Sequence, residues 1–272
     1  MKFMLEGKTI CYGTGSVTHD SLSADSPAIV FIHGAGFDHS VWVMPARYFA
    51  RHGFRVVAPD LPAHGASEGP PLASIGEMAR WLNNLLNELQ INSATIVGHS
   101  MGSLVAMSYA AQFPAETQKL AFLGASAPMP VGPVLLDAAQ DNSPAAFAMA
   151  NTWSHSHPGG LGASATPGMS NFVSGARWLQ RMQPGVYYHD LAACNEFEPV
   201  LPDMPKAVLV INGAQDKMTP ARNGLALASA LKDVSDQQSA TVQTVTLAGC
   251  GHSMLSERHN EVLDALTGLA DG

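Results

Sequence analysis

Ala94-Thr-Ile-Val-Gly-His-Ser-Met-Gly-Ser-Leu-Val-Ala-Met-Ser-Tyr-Ala-Ala-Gln112 is the stretch whose reading decides the fold. Ala94–Val97 is short, apolar and β-branched, the pattern of a strand buried on both faces. Ser103–Gln112 holds no glycine or proline and is expected to be helical. Between them stands Gly98-His-Ser-Met-Gly102. A Gly-x-Ser-x-Gly set between a strand and a helix forms a turn so tight that the serine backbone is strained and its Oγ stands clear of the sheet edge. Side chains at 98 and 102 would collide with the neighbouring strand and helix, so both must be glycine. The pattern alone is common in a chain with 25 glycines. Its position is what gives it meaning.

Outward from this turn the chain alternates. Strands are expected at Ala28–Ile32, Arg55–Ala58, Ala94–Val97, Leu120–Leu123, Ala207–Ile211 and Val242–Leu247. Helices are expected at 39–51, 74–90, 101–112, 219–231 and 256–269, after a hairpin in the first dozen residues turning at Gly7-Lys8. Such alternation implies an α/β fold, a mostly parallel central sheet with helices on both faces. Ligands then bind beyond the carboxyl ends of the strands. Residues 128–204 break the pattern, with many Pro, Gly, Met and Ala residues and no convincing strand. Helices are expected there at Pro133–Gln140, Pro144–Trp153, Asn171–Gln183 and Pro184–Asn195, with a Gly- and Ser-rich loop at Ser154–Met169 that could form a mobile entrance. The division expected is a core of 1–127 and 205–272, with a helical cap or lid of 128–204 lying over the strand ends.

A serine is a poor nucleophile unless a base takes its proton and an acid orients the base. The acid belongs after a late strand, and Ala207-Val-Leu-Val-Ile-Asn-Gly-Ala-Gln-Asp216 supplies it. The position after the preceding strand, Leu123-Gly-Ala-Ser-Ala127, holds no carboxylate. The base belongs after the last strand, where Ala248-Gly-Cys-Gly-His252 presents His252 among glycines. The catalytic candidates are therefore Ser100, Asp216 and His252. Acyl transfer also needs donors where the carbonyl oxygen becomes negative. The backbone N–H of Met101 is one, and that of Ala35, in His33-Gly-Ala-Gly-Phe37, is the other. Gly36, Phe37, Met129 and Trp153 are candidates for substrate contact, in an apolar pocket for an acyl or aryl group.

Composition excludes several classes. With 14 Lys plus Arg and a net charge of −8, the chain lacks the basic face that nucleic acid requires. No apolar stretch is long enough to span a membrane. Three cysteines and an N-terminus without an apolar signal segment point to reduced thiols and the cytoplasm, and the sequence leaves monomer or homodimer open. Gly34-x-Gly36 with Asp60 faintly imitates a dinucleotide fingerprint, but His39 occupies its third position. His155 with His157, and His189 with Asp190, lack a third ligand at metal-binding spacing. No metal and no cofactor are expected.

With elbow, late aspartate and final histidine in place, the chain resembles the α/β-hydrolase superfamily over nearly its whole length. The likeness is to its capped carboxylesterase and C–C hydrolase-like branch. The residues that carry it are His33-Gly-Ala-Gly-Phe-Asp-His-Ser-Val-Trp42, Pro59-Asp-Leu-Pro-Ala-His-Gly-Ala-Ser67, Gly98-His-Ser-Met-Gly102, Asn212-Gly-Ala-Gln-Asp216 and Gly251-His252. The resemblance implies a serine hydrolase cleaving a small to medium, largely apolar ester through an acyl-enzyme. A C–C bond hydrolase of ring-cleavage products, or a ligand-binding protein on the same scaffold, stands as the alternative. Serine at position 100, rather than aspartate, argues against dehalogenase and epoxide hydrolase chemistry.

Overall fold

Lys2–Leu5 (β1) and Lys8–Gly13 (β2) pair as an antiparallel hairpin. Lys8 already pairs with Leu5, so the turn is Glu6-Gly7, one residue ahead of the expected place, and both turn residues have positive φ. The computed structural model describes residues 1–18, 22, 23, 25–161, 168, 170–203, 205–235 and 240–272. Six further strands follow: β3 (Ala28–Ile32), β4 (Arg55–Pro59), β5 (Ala94–His99), β6 (Thr117–Leu123), β7 (Ala207–Gly213) and β8 (Thr241–Leu247). Together they form one sheet of order β1-β2-β4-β3-β5-β6-β7-β8, parallel from β4 through β8.

Side-chain alternation along the strands assigns the two faces. Ile29 and Phe31 of β3, Val97 of β5 and Ile211 of β7 point to one side. They pack on α1 (Val43–Arg51) and α11 (His259–Asp271) through Phe49, Val262 and Leu266. Val30, Ile32, Ile96 and Val210 point to the other side. There they meet α2 (Ile75–Glu88), α3 (Met101–Gln112) and α9 (Ala221–Ser235) through Leu82, Leu104 and Leu231. Every residue of α3 from Met101 to Ala110 is buried, so this helix is covered on all sides. Each such fully buried leucine or phenylalanine contributes about 2 kcal/mol through the area it removes from water.

Two expected helices are each interrupted. The first begins as a 3-10 turn, His39–Trp42, capped by Asp38, whose carboxylate accepts from Ser40 N–H. The last splits at Arg258 into α10 (Met254–Glu257) and α11. Between β6 and β7 the chain forms α4 (Pro133–Gln140), α5 (Pro144–Ser154), α6 (His157–Gly160), α7 (Asn171–Gln180) and α8 (Val186–Glu196). Pro184 ends the α7 segment short of Gln183, and Gly185, with φ +86, turns the chain into α8. These helices have a small core of their own, with Leu135, Ala146, Leu179 and Leu191. Of the loop expected at Ser154–Met169, residues 162–167 and 169 lie outside the described residues, while 157–160 form α6. Among the described residues no helix is long and apolar enough to cross a membrane.

Candidate active site

Ser100 has φ 56 and ψ −121, a conformation that L-residues avoid, at the junction of β5 and α3. The close packing around it accounts for the flanking glycines. A Cβ on Gly98 would lie 2.0 Å from the Gly102 carbonyl oxygen, and one on Gly102 would lie 2.2 Å from that of Ile32. Ser100 N–H donates to Leu123 O at 2.9 Å, and Ser103 Oγ donates to Gly98 O at 2.8 Å. The strained turn is thus tied to the neighbouring strand and to its own helix.

Past the end of β7, Asp216 is buried and fully engaged. Its Oδ1 accepts from the N–H groups of Met218 and Thr219, each at 2.8 Å. Its Oδ2 accepts from His252 Nδ1 at 2.7 Å and from Thr219 Oγ1 at 2.8 Å. Burial pushes this carboxyl up, but the charge and hydrogen bond of His252, with the Thr219 donors, outweigh it and hold Asp216 below the usual carboxylate range. His252 reaches this position because the loop after β8 crosses close to the loop after β7: a Cβ on Gly213 would lie 2.2 Å from Gly251 O. Gly124 also passes close to the imidazole, its would-be Cβ 3.1 Å from ring atoms.

Ser100 and His252 line one cavity of about 480 Å³. Among the described hydrogen bonds neither Ser100 Oγ nor His252 Nε2 has a protein partner. The same holds for the N–H groups of Ala35 and Met101. Phe37, Met129 and Trp153 line the cavity along with Leu135, Trp178, Leu179 and Tyr187. Gly36 does not: its N–H is used by Asp190, and its α-carbon faces Met182 and Tyr187. The floor is therefore polar and the walls, contributed largely by α4, α5, α7 and α8, are apolar.

A profile of the alpha/beta hydrolase family matches residues 29–265, from the second residue of β3 into α11. The chain belongs to the alpha/beta hydrolase family. Among curated relatives, an uncharacterised protein of Mycobacterium tuberculosis is 39% identical over 105 residues, 38% of this chain and 30% of that one. The chain covers less than half the length of the curated relatives it matches first. Solved structures align along the full chain. A thermophilic esterase superimposes with TM-score 0.77 at 21% identity, covering 100% of this chain and 96% of the other. The enol-lactonase of Burkholderia xenovorans LB400 gives TM-score 0.78 at 18% identity, covering 100% of both. At such identities the likeness shows the fold.

Three further groups brace the site. His99 donates from Nε2 to the His252 carbonyl at 2.9 Å, its ring 4.8 Å from that of His252. His33 accepts from Leu61 N–H at Nε2 and lies 2.8 Å from the Gly34 carbonyl at Nδ1, so it is the neutral Nδ1–H tautomer. It shapes the turn after β3. Glu257 accepts from Gly251 N–H at 2.7 Å and from Ser156 N–H at 2.9 Å. Glu257 is the last residue of α10, just before the break at Arg258. Ser253 N–H also donates to Ser154 O at 2.8 Å, so the start of the expected entrance loop is fastened to the histidine loop. No local pattern announces Glu257, because both its partners are remote in the chain or across a turn.

Cys11, His39 and Asp60 present ligand-type atoms within 4.8 Å of one another. Asp60 is fully committed there to His39 N–H, His39 Nδ1 and Ala66 N–H, at 2.8, 2.6 and 3.0 Å. It braces the loops after β3 and β4. His155 donates from Nδ1 to Asn151 O at 2.7 Å, and Asp190 pairs with His64.

Burial pushes His33 down to about 4, helped by the charge of His64, and His99 down to about 3, helped by His252. Both are neutral in the fold, and the unfolded chain takes up their protons first as pH falls through about 6.5. Stability therefore declines with acidification, each histidine contributing about 1.4 kcal/mol per pH unit until its folded value is reached. Denaturant melts between pH 6.5 and 4 will show this slope. The H99Q variant will show roughly half of the two-histidine slope. An identical slope in H99Q would contradict the assignment.

Proposed function

We propose that this protein is a serine hydrolase cleaving small to medium, largely apolar carboxylic esters, with 128–204 as its cap. The observation that carries the reading is the Asp216–His252 hydrogen bond at the rim of an apolar cavity that also holds Ser100 at a strained elbow. His252 Nε2 takes the Ser100 proton as the hydroxyl turns toward it. Asp216 fixes the imidazole with Nδ1–H toward the carboxylate and stabilises the charge that develops. Ser100 Oγ attacks the acyl carbon, and the N–H groups of Ala35 and Met101 receive the oxyanion. His252 then protonates the leaving alcohol, and water, activated by the same imidazole, releases the acid. The esterase and the enol-lactonase of the same fold support ester bonds, open or cyclic, as the substrate class.

The test joins labelling with a substrate panel. A fluorophosphonate is expected to modify Ser100, read by peptide mass spectrometry. p-Nitrophenyl esters of short and medium chain and simple lactones are expected to turn over, and vinylogous diketones of ring cleavage are not. Labelling elsewhere, or turnover of the diketones with inert esters, would overturn the reading.

A further inference from the structure

The turn after β3 is closed by Phe37 N–H donating to Gly34 O at 3.2 Å, so its central residues are Ala35 and Gly36. Gly36 has φ +71, while Ala35 is not among the residues of positive φ. That combination is a type II turn, which differs from type I by a flip of the central peptide. The N–H of this central peptide belongs to Gly36, and it donates to Asp190 Oδ2 at 2.8 Å. Asp190 comes from the middle of α8, 154 positions further along, and its side chain is wholly buried.

The same oxygen lies 2.8 Å from His64 Nε2. His64 Nδ1 lies 3.0 Å from Pro62 O, so both ring nitrogens face acceptors and both carry protons. Burial pulls His64 down, but the charge and hydrogen bond of Asp190 outweigh it and raise it above the ordinary histidine value. A buried ion pair therefore spans the boundary between α8 and the core. Flipping the central peptide would replace an N–H by the Ala35 carbonyl in front of this carboxylate. Two negative oxygens would then face each other out of water, an arrangement that a low dielectric makes costly.

We propose that Asp190 is a positioning residue for the oxyanion turn: its carboxylate, paired with His64, keeps Gly36 N–H facing α8, and by pinning the peptide that follows Ala35 it fixes where the Ala35 N–H, on the preceding peptide, stands for the substrate oxygen. The inference rests on the serine-hydrolase reading with Ala35 as a donor. Asp190 does not line the cavity, so it acts through the turn. Nothing in the local sequence suggests this role, since the partners of Asp190 lie on two loops far away in the chain.

The experiment is steady-state kinetics of D190N and D190A on a p-nitrophenyl butyrate substrate, expressed per active site titrated with fluorophosphonate. Inhibition by phenylboronic acid, whose serine adduct places an oxygen where the oxyanion forms, is measured alongside. We expect kcat to fall about 10-fold in D190N and about 100-fold in D190A, approaching the loss of one oxyanion donor. KM should stay within about twofold, and the boronate inhibition constant should rise in step with the loss in kcat. A merely structural role would lower the melting point and the titratable fraction, yet leave kcat per active site and boronate affinity unmoved. That outcome overturns the proposal. Should both variants fail to fold, H64Q keeps a donor to Asp190 without the charge, and is expected to lower kcat about threefold with a parallel change in boronate binding. Unchanged values in H64Q overturn the proposal equally. A wild type inert to both ester and boronate would instead remove the hydrolase reading itself, and this proposal with it.

Discussion

Replacing Ser100 by Ala is expected to lower kcat/KM for a p-nitrophenyl ester by on the order of 10⁴- to 10⁶-fold, the loss seen when a triad nucleophile is removed. The melting temperature should stay where it is. Ser100 Oγ makes no hydrogen bond among those described, so its removal leaves no buried partner stranded. Alanine also meets the same backbone demand at φ 56, so the strain is neither relieved nor increased. The residual rate will come from the oxyanion donors and from binding alone. Kinetics with purified S100A, together with a thermal melt, check both halves of the expectation. Wild-type turnover in S100A would place the chemistry elsewhere in the chain.

The second large effect concerns folding and function together. Gly102→Ala puts a methyl group 2.2 Å from Ile32 O and 2.7 Å from His33 O, both of them backbone atoms, of β3 and of the loop that follows it. A flexible side chain could swing away from such a contact, but a strand in the centre of a sheet cannot. The variant should lose about 3 to 5 kcal/mol of stability, in the range where single substitutions are exceptional. It should also lose most turnover, because the displaced segment leads directly to Ala35. Urea unfolding of G102A measures the first effect, and ester hydrolysis measures the second. A variant with wild-type midpoint and rate would refute the close-packing account of the elbow.

The sheet and its helices were legible because burial on both faces writes itself into short β-branched runs, and helices into longer runs free of proline. β3 and α3 were expected at the bounds they have, and the other strands within a few residues. Helices α4, α5, α7 and α8 were also readable, since proline starts α4 and α5 and precedes α8, whereas α6 forms inside the stretch expected to be a loop. Errors gathered where a side chain serves a distant partner. The final helix breaks at Arg258, next to Glu257, whose carboxylate binds Gly251 and Ser156, and neither partner has a spacing that signals these bonds. Ser154–Ser156 looked like the start of a free loop, yet its backbone is bonded to the histidine loop.

Residue order along the chain was enough for the elbow, the strand ends and the aspartate and histidine expected there, because strain, burial and turn geometry act between near neighbours. It was not enough for Asp190, which looks like any polar residue on a helix beside His189. Only the packing of α8 against the loops after β3 and β4 brings its carboxylate to Gly36 and His64. Contacts between remote segments depend on how whole elements dock, and no local pattern records that docking.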